Sequence, residues 1–305
     1  MTQEQRRRID SMLRSAPKIL GPRTIQEQRA GFAALMSHMT VPEGTSTTET
    51  DLGGMRTLLV EPTGRARPGT ILFFHGGAFI VGSPETAMCL TAAFVARTGV
   101  RAYSPDYRLA PEHPFPAAIE DGLTAYRTLL ERGEDPSTIV IAGDSAGGTL
   151  TVTTLIMAKR AGLPMPAAVI ALSPNLDFTR SGASMRTKAG IDPFLNREDL
   201  MTKDREQYLV GADPNQEILT PATLTDPTGF PPMLLQSGAN EVLLDDSVRM
   251  AERARDAGVD VILDVTADVP HVFQTYAGVL DEADQALDRA ALFLSQHLAP
   301  APLAA

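Results

Sequence analysis

The sequence predicts an α/β domain in which helices cover both faces of a mostly parallel β-sheet. Short apolar runs alternate along the chain with segments of helical length, which is the pattern of repeated strand–helix–strand units. Most of these runs are almost entirely apolar, as expected for strands that are buried on both faces of a parallel sheet. The 24 glycines and 23 prolines supply the tight turns that such a chain needs between its elements.

Seven strands and five helices follow from this alternation. The strands are expected at residues 56–60, 70–74, 100–104, 138–142, 168–172, 232–236 and 261–265. The helices are expected at residues 86–97, 116–132, 147–161, 245–257 and 280–297.

Two parts of the chain depart from the alternation and are predicted to form a helical cap. Residues 178–225 contain no good strand, several glycines and prolines, and a helical pattern at 198–209. An insertion of this kind above a parallel sheet is often a lid. The cap is therefore expected at 1–50 and about 178–225, and the α/β core at 51–177 and 226–305. The alternative is that the insertion is a surface excursion without a role.

Composition and charge exclude several classes of protein. The chain has 37 acidic and 27 basic residues, a net charge of −10, so general binding to nucleic acid is not expected. Its one cysteine, Cys89, allows neither an intrachain disulfide nor a Cys-rich zinc site. The N-terminus is polar, and no run of about 18 apolar residues occurs. We therefore expect a cytoplasmic protein without a signal peptide or a membrane span.

The strongest local motif is Gly143-Asp-Ser-Ala-Gly-Gly148, which lies between a predicted strand and a predicted helix. A serine on a sharp strand-to-helix turn points its hydroxyl above the sheet, and flanking glycines relieve the crowding of that turn. The helix that follows directs its free N–H groups at the same point. Ser145 is therefore a candidate nucleophile, although the bare pattern also fits an ordinary glycine-rich turn.

A second motif, Phe73-Phe-His-Gly-Gly-Ala-Phe79, follows another predicted buried strand. Acyl transfer needs donors for a tetrahedral oxyanion, and backbone amides can serve if the loop passes close to the substrate. Gly77 would supply one donor, with Gly76 or Ala78 beside it, and Ala146 another. We interpret His75 as an anchor of the loop and not as a base.

A base and an acid must complete such a site. Of the five histidines, His271 fits best, because it follows the predicted strand 261–265 by a short loop. The acid should follow strand 232–236, where Glu241, Asp245 and Asp246 are all candidates. Glu241 is favoured because it is nearest the strand end, whereas the two aspartates fall where a helix should begin and acidic residues are common.

These motifs, taken in order, resemble those of the hormone-sensitive-lipase-like esterases, the bacterial family IV members of the α/β-hydrolase fold. The similarity covers about residues 55–300 and rests on His75-Gly-Gly, on Asp106-Tyr-Arg-Leu-Ala-Pro-Glu-His-Pro-Phe-Pro-Ala-Ala118, on Gly143–Gly148 and on Pro270-His-Val-Phe273. It implies an eight-stranded, mostly parallel sheet with a helical cap, and the chain order Ser145, Glu241, His271.

Two positions depart from the family pattern. Ala78 stands where the family usually has a third glycine, and its methyl group narrows the loop. Glu241 stands where the family more often has aspartate, and the fold tolerates either acid. We interpret Asp106 and Arg108 as anchors of the surrounding loops.

The function expected from motifs and resemblance is that of a serine carboxylesterase that hydrolyses short-acyl esters through an acyl-enzyme. No metal and no organic cofactor is implied, and the partner is a small, mostly neutral ester. A lactone hydrolase or a natural-product deacetylase would use the same triad, and an inactive ligand-binding receptor on the same fold is a remote alternative.

Two finer expectations concern the cap and the assembly. Apolar residues on the predicted cap helices are candidate pocket walls, unless they only seal the cap against the core: Phe32, Met36, Tyr208 and Leu209. The family often forms homodimers through a sheet edge, so the resemblance implies a homodimer.

Overall fold

An eight-stranded β-sheet forms the centre of the molecule in the computed structural model, which describes residues 2–15, 24–195 and 205–298. The strands are β1 (Thr45–Leu52), β2 (Met55–Pro62), β3 (Arg67–Phe74), β4 (Val100–Pro105), β5 (Ile139–Asp144), β6 (Ala168–Leu172), β7 (Met233–Gly238) and β8 (Val261–Thr266). Their order is β1-β2-β4-β3-β5-β6-β7-β8. Only β2 runs against its neighbours, so the predicted eight-stranded, mostly parallel sheet is confirmed.

The helices flank this sheet and connect its strands. They are α1 (Thr2–Ser15), α2 (Ile25–Met36), α3 (Met88–Thr98), α4 (Ala117–Glu131), α5 (Ala146–Arg160), α6 (Ser184–Thr187), α7 (described over residues 205–209), α8 (Pro221–Leu224), α9 (Leu244–Asp256) and α10 (Asp281–His297). The five helices predicted from the sequence correspond to α3, α4, α5, α9 and α10. None of the described helices is both long enough and apolar enough to cross a membrane.

The side chains of β3 show how one strand supports two cores. Leu72 and Phe74 belong to the cluster that also contains apolar residues of α4, α5 and α9. Ile71 and Phe73 belong to a second cluster, with residues of α3 and α10. Because successive side chains of a strand point to opposite faces, a continuous apolar run serves both layers of helices.

All seven strands predicted from apolar runs are present, but the runs omit β1. Residues 45–51 are polar and rich in threonine, and most β1 side chains are exposed because the strand lies at the sheet edge. It pairs antiparallel with β2 through a turn at Gly53 and Gly54, which have φ values of 67° and 84°. The expected boundary between cap and core at residue 50 is therefore wrong, because it falls inside β1.

The N-terminal helices pack on separate parts of the core. On α1, Gln5 donates a hydrogen bond to Asp281 at the start of α10, and Ile9 is buried. On α2, Arg29 donates to the carbonyl oxygens of Ile80 and Ala110 at 3.0 Å each. The predicted helix 198–209 is described only as α7, and its residues 198–204 lie outside the described residues.

Parallel pairing brings three loops to one edge of the sheet. β5, β7 and β8 run in the same direction, so the segments that follow their carboxyl ends emerge side by side. β5 ends immediately before Ser145, while Glu241 and His271 lie shortly after β7 and β8.

Candidate active site

Ser145 occupies the sharp turn between β5 and α5. Its φ of 52° and ψ of −114° lie outside the regular regions, and its N–H donates to the carbonyl oxygen of Leu172 at 2.8 Å. A Cβ atom on Gly147 would overlap the carbonyl group of Phe74, so only glycine lets α5 pass this close to β3. The turn therefore holds the serine hydroxyl at the carboxyl edge of the sheet.

Three predicted residues form one hydrogen-bonded line. Nε2 of His271 lies 2.9 Å from Oγ of Ser145, and Nδ1 lies 2.8 Å from Oε2 of Glu241. Because Nδ1 faces a carboxylate, we assign the proton of the neutral ring to Nδ1, which leaves Nε2 to accept from the serine hydroxyl. His271 is 5% exposed and Glu241 is 0% exposed, so solvent hardly competes for these bonds.

The second carboxylate oxygen of Glu241 is also held. Oε1 accepts hydrogen bonds from the N–H of Gly238 and from Oγ of Ser173, the latter at 2.7 Å. The same Ser173 hydroxyl oxygen accepts from the N–H of Val272, the residue after His271, at 3.0 Å. Ser173 thus connects the loops that carry the acid and the base. The sequence interpretation missed it, although its place directly after a predicted strand of the parallel sheet was an available signal.

The two other candidate acids lie near Glu241 but bind elsewhere. Asp245 accepts from the N–H of Ser184 at 3.0 Å. Asp246 accepts from the N–H groups of Leu176 and Asp177 at 2.7 and 2.9 Å. Both aspartates lie in the first turn of α9 and tie it to the segment that follows β6.

His75 anchors the glycine loop from inside the core. Its ring stacks on Tyr107 with ring centroids 4.1 Å apart, and Nδ1 donates to the carbonyl oxygen of Gly76 at 2.8 Å. Tyr107 in turn donates its hydroxyl proton to the carbonyl oxygen of His75 at 2.7 Å. Burial lowers the pKa of His75 to about 4, so the ring stays neutral near pH 7.

Of the backbone N–H groups at the candidate oxyanion hole, that of Gly76 already donates a hydrogen bond within the protein. The N–H of Gly76 donates to Oδ1 of Asp144 at 3.0 Å, so the expectation that Gly76 contributes a donor is corrected. Gly77 and Ala78 have φ values of 123° and 55°, and their N–H groups have no acceptor within the described part of the chain. Ala146 is the first residue of α5, where N–H groups lack an intrahelical acceptor. Gly77, Ala78 and Ala146 remain the candidate donors.

Carboxylates around His271 make its ring more basic. Burial lowers the pKa of His271, but the charge of Glu241 and the hydrogen bond to it outweigh burial and raise the pKa above its usual value. The charges of Asp192 and Asp144 act in the same direction. The surroundings therefore favour the imidazolium that general-base catalysis produces.

Two of the four predicted cap residues lie within the core. Tyr208 is 1% exposed and its ring stacks on Phe79 with centroids 4.1 Å apart, while Leu209 is 6% exposed. Phe32 and Met36 on α2 are half-buried, and Met36 packs against the cluster that contains α3 and α10. Tyr208 thus connects α7 to the glycine loop.

Phe194 is an aromatic neighbour of His271 that the sequence interpretation missed. The two ring centroids are 5.9 Å apart with an interplanar angle of 26°. Phe194 lies in the irregular segment 188–195, where no apolar periodicity marks a residue as important.

Comparisons with known proteins identify the fold and the family of this chain. A sequence model described as the alpha/beta hydrolase fold matches residues 71–275. An acetyl-hydrolase from Streptomyces hygroscopicus is 38% identical over 273 residues, which are 90% of this chain and 89% of the relative. An esterase from Acinetobacter venetianus is 36% identical over 217 residues, or 71% of each chain. The crystal structure of a hormone-sensitive lipase from a metagenome library is 40% identical, with a TM-score of 0.92, and the match covers 96% of this chain and 98% of that one.

The sheet and the serine–histidine–glutamate line, together with these matches, define an α/β-hydrolase. Within that fold, the chain belongs to the bacterial hormone-sensitive lipase family of esterases. It is therefore a carboxylic ester hydrolase, as the sequence predicted.

Proposed function

We propose that this esterase hydrolyses short-acyl esters through an acyl-enzyme formed on Ser145, with His271 as base and Glu241 as acid. The line of hydrogen bonds through these three side chains carries the proposal. Nε2 of His271 takes the hydroxyl proton as Oγ of Ser145 attacks the ester carbonyl carbon. The N–H groups of Gly77 and Ala146, with Ala78 beside Gly77, stabilise the oxyanion.

Collapse of the tetrahedral intermediate breaks the bond to the alcohol oxygen, and His271 gives its proton to that oxygen. Water then attacks the acyl group as His271 takes a proton from it, and the proton returns to Oγ of Ser145 when the acid leaves. Glu241 orients the imidazole and stabilises its protonated form throughout. A chain without the base could only bind ligands, so the position of His271 favours an enzyme over a receptor.

The name of one relative, an acetyl-hydrolase, supports acetyl and other short acyl groups. It also supports a second candidate, deacetylation of a larger natural product, because an acetyl ester of a larger alcohol contains the same reacting bond. A panel of acetylated compounds and lactones would separate these substrates.

Replacement of the nucleophile tests the mechanism. Ser145→Ala removes the group that forms the acyl-enzyme, so kcat/KM for p-nitrophenyl acetate should fall at least about 10³-fold. A series of p-nitrophenyl esters measured on the unaltered enzyme should show its maximum at short acyl chains. A Ser145→Ala variant that retains most of its activity would refute the nucleophile, and a maximum at long chains would refute the acyl preference.

Three further proposals concern the cap, the assembly and the location of the protein. Residues 1–44 and about 178–225 act as a cap. The contact between Tyr208 and Phe79 beside the glycine loop supports this proposal. A variant shortened within residues 178–225 should change the acyl preference.

A homodimer forms through the exposed edge of β8, which sedimentation velocity would test. The cytoplasmic location stays a prediction that cell fractionation would test.

A further inference from the structure

A buried carboxylate, that of Asp192, binds the backbone of Phe194, whose ring lies beside the ring of His271. Asp192 is 0% exposed, and its Oδ1 accepts from the N–H groups of Phe194 and Leu195 at 2.9 Å each. Its Oδ2 accepts from the N–H of Val242, the residue after Glu241, at 3.0 Å. One side chain therefore ties the Phe194 backbone to the loop that carries the acid.

The contact with His271 leaves part of the Phe194 side chain exposed to solvent. His271 is 5% exposed, whereas Phe194 is 36% exposed and lies 5.9 Å from it, centroid to centroid. An exposed aromatic surface beside a buried reacting group is available to a ligand. Among the described residues, Phe194 therefore offers an apolar surface to a molecule that approaches His271.

The reaction fixes which part of the substrate comes close to His271. The imidazole must donate its proton to the leaving alkoxide, so the alcohol oxygen has to lie within hydrogen-bond reach of Nε2. The carbonyl oxygen points instead to the amides of Gly77 and Ala146. The first atoms of the alcohol group therefore lie near the imidazole and the ring beside it.

We propose that Phe194 forms a wall of the leaving-alcohol subsite and that the enzyme prefers esters of flat, apolar, aromatic alcohols. Aromatic rings gain from offset or edge contacts with another ring beyond the burial of area. Glu241 and Asp192 place negative charge around His271, which disfavours a substrate whose alcohol group carries a negative charge. The proposal rests on the proposed function and extends it to the alcohol side of the ester.

Benzyl acetate and ethyl acetate test the subsite, because both form the same acetyl-enzyme and differ only in the alcohol. In Phe194→Ala, kcat/KM for benzyl acetate should fall roughly 5- to 10-fold, the size of a lost aromatic contact, while the value for ethyl acetate changes less than about 2-fold. The ratio of p-nitrophenyl acetate to p-nitrophenyl butyrate, which reports on the acyl side, should stay constant. Ile191→Ala is the matched control, since Ile191 is 43% exposed in the same segment, and it should change none of these ratios.

Phe194→Leu keeps an apolar side chain and serves if the alanine variant does not fold. It should lower the benzyl-to-ethyl ratio, and benzyl alcohol should inhibit it more weakly than it inhibits the unaltered enzyme. Equal losses for both acetates would overturn the subsite and make Phe194 a residue that only shields His271. That outcome would leave the proposed function intact, whereas an active Ser145→Ala variant would refute the proposed function itself.

Discussion

At the scale of single residues, the chemistry depends on the balance of burial and charge at His271. A buried imidazole alone would resist protonation, and Glu241 reverses that effect through its charge and its hydrogen bond. The neutral ring is the form that can take the serine proton. Because the pKa of His271 is raised, kcat/KM should still increase with pH at values above the usual pKa of histidine, and should reach its plateau only at higher pH.

Glu241→Gln tests this balance. Loss of the negative charge lowers the pKa of His271, so the acid limb of the kcat/KM profile should move to lower pH. The plateau should fall by roughly 10²- to 10⁴-fold, as when the acid of a triad is replaced by its amide.

Asp245→Ala is the comparison for Glu241→Gln, measured at an equal folded fraction. Asp245 binds Ser184 and not His271, so its loss should leave the acid limb in place and cost much less activity. A larger loss at Asp245 than at Glu241 would reverse the assignment of the acid.

At the scale of secondary-structure elements, the apolar runs located every strand that is buried on both faces. The same reasoning located Glu241 and His271, because chain order alone tells which loops follow neighbouring parallel strands. It missed β1, because most side chains of that strand face solvent and so form no apolar pattern. It also missed Ser173 and Phe194, whose roles depend on contacts with residues distant in the sequence.

The opposite edge strand, β8, carries the prediction about assembly. Ile262, Leu263 and Val265 are 51%, 37% and 41% exposed on a strand that pairs, among the described strands, with β7 alone. An apolar strand with a free edge is a site for pairing with another chain, and a two-fold axis lets the same strand pair with itself.

Leu263→Lys places a charge on this edge and should convert the proposed dimer into a monomer in sedimentation velocity runs, with esterase activity retained. Val210→Lys is the control, since Val210 is 66% exposed next to α7, and it should leave the dimer intact. Unaltered enzyme that sediments as a monomer at micromolar concentration would rule the dimer out.

At the scale of the whole molecule, two buried acids connect stability to pH. Burial raises the pKa of Asp144 to about 7, and it raises the pKa of Asp246 to about 7 as well. In the unfolded chain an aspartate has a pKa of about 3.9. Between roughly pH 4 and 7 the folded state holds protons that the unfolded state has released, so these two groups make the folded state less stable as pH rises through that window.

Asp246→Asn should reduce this dependence on pH. Both N–H groups bound by Asp246 donate to Oδ2, and an amide oxygen can replace that atom. The fall in Tm between pH 5 and pH 8 should be smaller in the variant by about 2 °C or more.

Asp256→Asn is the control for Asp246→Asn, because the Asp256 side chain is 71% exposed. The Tm of this control should change between pH 5 and pH 8 as much as the Tm of the unaltered protein does. If Tm changes equally with pH in Asp246→Asn and in the unaltered protein, Asp246 does not hold its proton in this pH range.

The sequence by itself determined the layers of the fold, the turn at Ser145 and the chain order of nucleophile, acid and base. These features depend on local patterns, namely apolar runs, glycine spacing and the strand that each loop follows. Only the tertiary structure decided that the Gly76 amide binds Asp144, that Ser173 holds Glu241, and that Asp192 places Phe194 beside His271. Each of these arrangements joins residues far apart in the chain, so their geometry is set by the packing of whole elements and not by any short stretch of sequence.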